Sequence, residues 1–241
     1  MVRGPARLTG VVERMDRPGV GVQELRRALA ELARINRIFG GTRIVLRYLR
    51  PWLSRLRRPI RVLDVGTGFA DLPRAIVGWA RRKGVALSIE ALDHHAEIRA
   101  LATQACADYP EIRIRAGDAL GLSYPDQSFD VAFASQILHH MEGEEPIRLL
   151  HELRRVARHG VLVSDLRRGT WPCLVTSATL HLASGSPLIR HDGPLSIRRG
   201  FVPAEMLALA DAAGWTTPQV FRHAFFRLAL VDAGASTDRG V

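Results

Sequence analysis

The 241-residue sequence predicts an α/β fold, a mostly parallel sheet with helices on both faces and a helical lid at the amino terminus. Three observations predict it. Strand-like and helix-like segments alternate from residue 60 to 166, the first apolar strand runs into a glycine turn in "RVLDVGTGFADLP" (61–73), and two amphipathic segments stand ahead of both. With 47% hydrophobic residues the chain can bury a full core, so it divides into a lid, residues 1–59, and a main domain, residues 60–234, with an insertion at 170–200.

The lid begins with residues 23–39, where Leu25, Leu29, Leu32, Ile35 and Phe39 recur at helical spacing and Gly40 and Gly41 supply a stop. Residues 43–57 are amphipathic again, with Pro51 as a kink or break. Such a basic helical pair either packs on the domain or touches an anionic membrane or a lipid-like substrate. In the main domain the strand "IRVLDV" is followed by helical "LPRAIVGWARRKG", strand "ALSIEALD", helical "AEIRALATQACADY" and strand "IRIRAG". "SFDVAFA", helical "PIRLLHELRRVAR" and strand "GVLVSD" complete the alternation. The insertion, with its prolines and serines, reads as a second lid loop; Pro203 then opens a helix, and "TTPQVFRH" and "FFRLALVDA" close the domain as strands.

Composition excludes several classes of function. Cys106 and Cys173 form neither a disulfide framework nor a zinc motif, which suits a reducing cytoplasm, and no metal is expected. The amino terminus lacks the apolar core of a signal peptide, and no segment approaches the roughly 18 apolar residues of a membrane span. The net charge of +10 resides in the first 61 residues, which hold 15 arginines against four acidic residues; the remainder holds 19 basic and 20 acidic residues. A nucleic-acid partner is therefore not expected of the domain that carries the glycine turn.

The turn itself selects among ligands. A dinucleotide loop places Gly or Ala at the sixth position of Gly-x-Gly-x-x-Gly, whereas here Gly66 and Gly68 are followed by Asp71. Asp64 and Asp71 would repel a pyrophosphate and attract a ligand with an ammonium and a sulfonium, a description that fits S-adenosylmethionine. Asp93 ends the second strand, where a carboxylate accepts from ribose hydroxyls, with His94 beside it. Asp118 and Ala119 end the third strand at the position of an adenine, and Ser135 and Gln136 end the fourth.

In these residues and their order the chain resembles the class I S-adenosylmethionine-dependent methyltransferases. The likeness is to the small-molecule branch with quinone-biosynthesis enzymes and bacterial secondary-metabolite O-methyltransferases. It extends over about residues 60–166 and more loosely to 232. The resemblance implies a Rossmann-like seven-stranded sheet with an antiparallel last strand, and a cofactor held by Asp64, Gly66, Gly68, Asp93, Asp118, Ala119 and Ser135. Ala70 stands where many relatives have a third glycine. It also implies a small-molecule acceptor, with O-methylation of a phenolic, quinone-like or polyketide hydroxyl as the first expectation and C-methylation of a quinone precursor as the rival.

His139 and His140, just past the fourth strand, are candidate general bases, with local packing as the alternative reading. His191, paired with Asp192, and Arg198 or Arg199 are candidate acceptor contacts from the insertion; Asp165 and Arg167 end the fifth strand nearby. The Asn/Asp-Pro-Pro-aromatic signature of amino-methylating nucleic-acid enzymes is replaced by "ASQILHH", and Pro172-Cys173 falls too late in the chain to be a cytosine nucleophile. A noncatalytic cofactor-binding module of the same fold is the remaining alternative from another class.

Overall fold

A computed structural model describes residues 5–17 and 19–233; residues 1–4 and 18 of the expected lid and residue 234 of the expected main domain lie outside the described residues. Seven strands form one sheet: β1 (Ile60–Val65), β2 (Leu87–Asp93), β3 (Ile112–Ala116), β4 (Phe129–Ser135), β5 (Ala157–Leu166), β6 (Gln219–His223) and β7 (Arg227–Asp232). Their order is β3-β2-β1-β4-β5-β7-β6, with β7 antiparallel to both of its neighbours. The order in which successive parallel strands are laid down reverses between β1 and β4, and such a switch point opens a crevice at the carboxyl ends of the strands.

Eight helices accompany the sheet among the described residues: α1 (Val22–Ile38), α2 (Gly41–Arg55), α3 (Asp71–Lys83), α4 (Ala96–Ala105), α5 (Glu145–Val156), α6 (Thr170–Ala183), α7 (Pro187–Arg199) and α8 (Pro203–Ala212). Successive strand residues point to opposite faces, so the sheet builds two cores. Val62, Ile89, Val131 and Leu162 pack against α2 and α3. Leu63, Leu92, Ala132 and Val163 pack against α5 and α8.

Two expectations for the flanking segments change. The pair of amino-terminal helices does not act as one lid, because α2 runs through Pro51 and buries Val45, Leu49 and Leu53 completely in the core. Burial of each such side chain is worth about 1.5–3 kcal/mol, so α2 is a structural layer of the domain and its apolar stripe is not free for a membrane. Only α1 covers the crevice: Leu25 and Leu29 meet Ile98 and Leu101 of α4, while Ala28 meets Leu180, Leu188 and Ile189 of α6 and α7.

The insertion is not a loop but the helix pair α6 and α7. Pro187 occupies the first turn of α7, where its missing N–H costs nothing, and the Ser186 hydroxyl caps the amide of Ile189. Gly193 lets the two helices close, since a Cβ there would lie 2.1 Å from Leu180 Cδ1. No described helix is long and apolar enough to cross a membrane.

Candidate active site

The crevice is a cavity of about 700 Å3, within the range of small-molecule sites. Asp64, Gly66, Gly68, Asp71, Asp93, His94, Asp118, Ala119 and Ser135 all line it, so the residues expected from sequence to meet the cofactor are brought together. The glycine loop is tied to β2: the amides of Gly66 and Thr67 both donate to Leu92 O, at 2.9 and 2.8 Å. Asp93 closes the same loop, its Oδ2 accepting from Gly68 N at 3.0 Å and its Oδ1 from His95 N at 3.1 Å. Gly66 adopts φ +75°, and a Cβ there would meet Ile137 Cδ1 at 2.6 Å. Ala70 takes the left-handed conformation of the absent third glycine, φ 53°, at the entrance to α3.

Electrostatics distinguish the carboxylates at this end. Burial pushes the Asp64 carboxyl up to about 8, and the nearby charges of Asp71 and Asp93 add to the effect. Burial raises Asp71 as well. One oxygen of each, Oδ2, is buried without a hydrogen-bond partner. Two orphaned carboxyl oxygens facing one cavity suit a cationic ligand group. Asp118 is exposed and bonds Leu120 N at 2.9 Å, forming the turn beside Ala119.

The cavity lining also includes the two histidines that follow β4. His139 is buried, and its Nδ1 lies 2.7 Å from Asp165 Oδ1. Burial alone would raise the Asp165 carboxyl, but the facing His139 ring, its hydrogen bond and the Leu166 amide outweigh this and hold it below its ordinary value. An ionised carboxylate only accepts, so Nδ1 donates to Asp165, and Nε2 lies 3.7 Å from Glu13 Oε1.

His140 makes the parallel contact, Nδ1 to Asp16 Oδ2 at 2.7 Å. Its burial opposes protonation, yet the Asp16 hydrogen bond and the charges of Glu13, Asp16 and Asp165 prevail and raise its pKa. The two rings lie 4.2 Å apart, centroid to centroid. Ligand-type atoms of Glu13, His139 and His140, and separately of Asp93, His94 and His95, lie within 4.8 Å of one another and could converge on a metal ion. In the first group His140 Nδ1 is already engaged by Asp16 and His139 Nδ1 by Asp165.

Three residues expected at the acceptor site are placed elsewhere. Arg198 is exposed and does not line the cavity. Arg199 is buried beneath the histidines, its Nε donating to His139 O at 3.0 Å and its Nη2 to His140 O at 2.7 Å, with Val11 O as a third acceptor. Five donors on one planar group suit such a carbonyl cluster, so Arg199 positions the loop that carries the histidines. His191 does pair with Asp192, at 2.7 Å, but its ring lies off the cavity. The Asp192 carboxylate is occupied by the amides of Arg14 and Met15 at 2.9 and 3.0 Å, which fixes the short turn bearing Asp16. Cys173 also lies outside the cavity lining.

Sequence reasoning missed the residues that arrive from far along the chain: Glu13 and Asp16, Asn36 of α1, and Arg227 of β7, all of which line the cavity. The available signals were acidic residues within an arginine-rich segment and a charge inside the apolar run "FFRLALVD".

The open parallel sheet, its switch-point cavity and the glycine loop define the class I methyltransferase fold. Residues 63–164 match the family described as "Methyltransferase domain", so the chain is an enzyme built on such a domain. Solved structures agree on the fold. A SAM-dependent methyltransferase from Aquifex aeolicus superposes with a TM-score of 0.61 at 17% identity, over 86% of this chain and 97% of that one. The CurJ carbon methyltransferase gives 0.65 at 13% identity, over 92% and 63%. Human N-acetylserotonin methyltransferase in complex with SAM gives 0.59 at 15% identity, over 88% and 56%. No curated protein sequence matches the chain.

Proposed function

We propose that the enzyme transfers a methyl group from S-adenosylmethionine to a hydroxyl of a small acceptor with a phenolic, quinone-like or polyketide body, and that His139 is the general base. The observation that carries the reading is the buried Asp165–His139 pair, 2.7 Å apart, on a histidine that lines the cavity. Asp93 would hold the cofactor's ribose, Asp118 and Ala119 would frame its adenine, and Asp64 and Asp71 would receive its ammonium, with the donated methyl group available to an acceptor beside His139.

The chemistry follows from these placements. The acceptor oxygen attacks the methyl carbon as the carbon–sulfur bond breaks, and its proton passes to His139 Nε2, with Asp165 steadying the imidazolium. The bond electrons leave with sulfur, giving S-adenosylhomocysteine. Alignment of oxygen, carbon and sulfur supplies much of the acceleration. The apolar walls, from Leu29, Leu32, Phe39 and Leu180 among others, exclude water and accommodate an apolar acceptor body. His140, whose pKa is raised by its Asp16 partner, is the less suited of the two to the base role.

The test is turnover with labelled methyl donor across a panel of phenols and quinols, with the product's methyl position read by NMR. His139→Ala and Asp165→Asn are expected to lower kcat about 10²–10⁴-fold with unchanged S-adenosylhomocysteine affinity. Full activity in both variants, or a methyl found on ring carbon, would overturn the reading.

A further inference from the structure

Arg227 opens β7 opposite Leu166, at the carboxyl end of β5, and lines the cavity although only 3% of it is exposed. Its Nη2 donates to Asn36 Oδ1 at 2.9 Å, while Nε and Nη1 are buried without any hydrogen-bond partner. No carboxylate of the described residues lies within 4.0 Å of it. Asp165 and Asp71 act on it only from beyond ion-pair distance. Asp165 is already committed to His139.

The surroundings hold the group in place. Asn36 Oδ1 also accepts from Gln136 Nε2 at 2.7 Å, so one amide oxygen anchors donors from two elements. Against the guanidinium, a Cβ on Gly41 would sit 3.2 Å from its Cζ and Nη1, so the glycine eases the close approach of the first turn of α2. A buried cation without a counter-charge is expensive to maintain, and burial pulls its pKa down to about 10. The side from which an anion could come is the cavity.

We propose that Arg227, held by Asn36, is a carboxylate-binding subsite of this cavity. The planar fork of the guanidinium matches the two oxygens of a carboxylate, and Nε or Nη1, paired with the second hydrogen of Nη2, forms the edge left to receive them. Two ligands of the methyl-transfer reading, on which this subsite rests, could bring that group: the methionine portion of the cofactor, or an acidic substituent on the acceptor.

The experiment compares matched ligands by calorimetry. S-Adenosylhomocysteine is titrated against its analogue lacking the α-carboxylate, and 4-hydroxybenzoate against 4-hydroxybenzamide on protein saturated with S-adenosylhomocysteine. At least one pair is expected to favour the carboxylate tenfold or more in the wild type, and Arg227→Met is expected to abolish that preference. Preference in the first pair assigns the anion to the cofactor; preference in the second assigns it to the acceptor. Equal affinities within both pairs, or a preference that survives Arg227→Met, would overturn the proposal. Should Arg227→Met not fold, Asn36→Ala is expected to change the preference at least threefold, and no change counts against the subsite. Failure of S-adenosylhomocysteine to bind at all would overturn the functional reading and the subsite with it. Tight binding without carboxylate preference overturns the subsite alone.

Discussion

Binding of S-adenosylhomocysteine is expected to expel a proton from Asp64, and Asp64→Asn removes that proton. In the free protein, burial places this carboxyl at about 8. At pH 7 such a group is about 90% protonated, and arrival of the ligand ammonium favours its ionised form. Roughly 0.9 proton is then released at pH 7, about 0.5 at pH 8 and little at pH 9. Affinity accordingly strengthens by up to about tenfold per pH unit between 6 and 7 and levels off above 8.

Calorimetry in phosphate and in Tris, whose ionisation enthalpies differ, reads the release directly as the dependence of the observed enthalpy on the buffer. Asp71, also raised by burial, adds a share that persists in Asp64→Asn, so the deciding quantity is the difference between wild type and variant. The same carboxyl sets a stability trend. Its native value lies above the ordinary 3.8, so the native state holds a proton that the unfolded chain has lost between about pH 4 and 8. Stability of the free protein therefore falls as pH rises through that window, and the fall is smaller in Asp64→Asn. An equal buffer dependence in wild type and variant at pH 7 would refute the reasoning.

Two further substitutions probe the supports of the site. Gly66→Ala meets both a left-handed backbone and Ile137 Cδ1 at 2.6 Å, whereas Gly68→Ala, at φ +53°, meets open space. Left-handed strain costs about 1–2 kcal/mol at either position, so denaturant unfolding should show the larger loss for Gly66→Ala, together with weaker S-adenosylhomocysteine binding; equal losses would contradict the contact. Arg199→Ala should destabilise by about 3 kcal/mol or more, because carbonyls bonded to a buried charge lose their partner. Its kcat should fall although the residue lies outside the cavity, and Arg199→Lys should recover part of both losses; unchanged kcat in a folded Arg199→Ala would show that the histidine loop needs no such support.

That the residues assigned to the cofactor would come together was legible in sequence because their signals are local. A carboxylate two residues before a glycine turn, and others at strand ends, keep their meaning wherever the rest of the chain goes, and Asp64, Asp93 and Asp118 line one cavity as expected. The acceptor end was only half legible. His139 and Asp165 could be placed at the correct edge, but their pairing spans 26 residues. Glu13 meets His139 and Arg227 meets Asn36 across still longer separations, which no periodicity records.

The insertion misled for a related reason. Its prolines and serine resembled loop punctuation, whereas Pro187 starts α7 and Ser186 caps it, roles that only the helical context reveals. The arginines of the insertion were read as ligands for an acceptor. Arg199 instead found backbone carbonyls, because a buried guanidinium takes whatever acceptors the fold brings to it.

The matched domain ends at residue 164, and much of the acceptor end comes from outside it. Glu13, Asp16, Asn36, Asp192, Phe225 and Arg227 all belong to flanking segments, while the glycine loop and the strand-end carboxylates lie inside. On the proposed reading the donor loop lies inside the matched stretch, whereas the rest of the cavity is shared between that stretch, through His139, and the flanks. Because α2 and β7 of those flanks also build the core, a change of acceptor is expected to come from substitutions at their cavity-lining side chains and not from replacing the flanks whole.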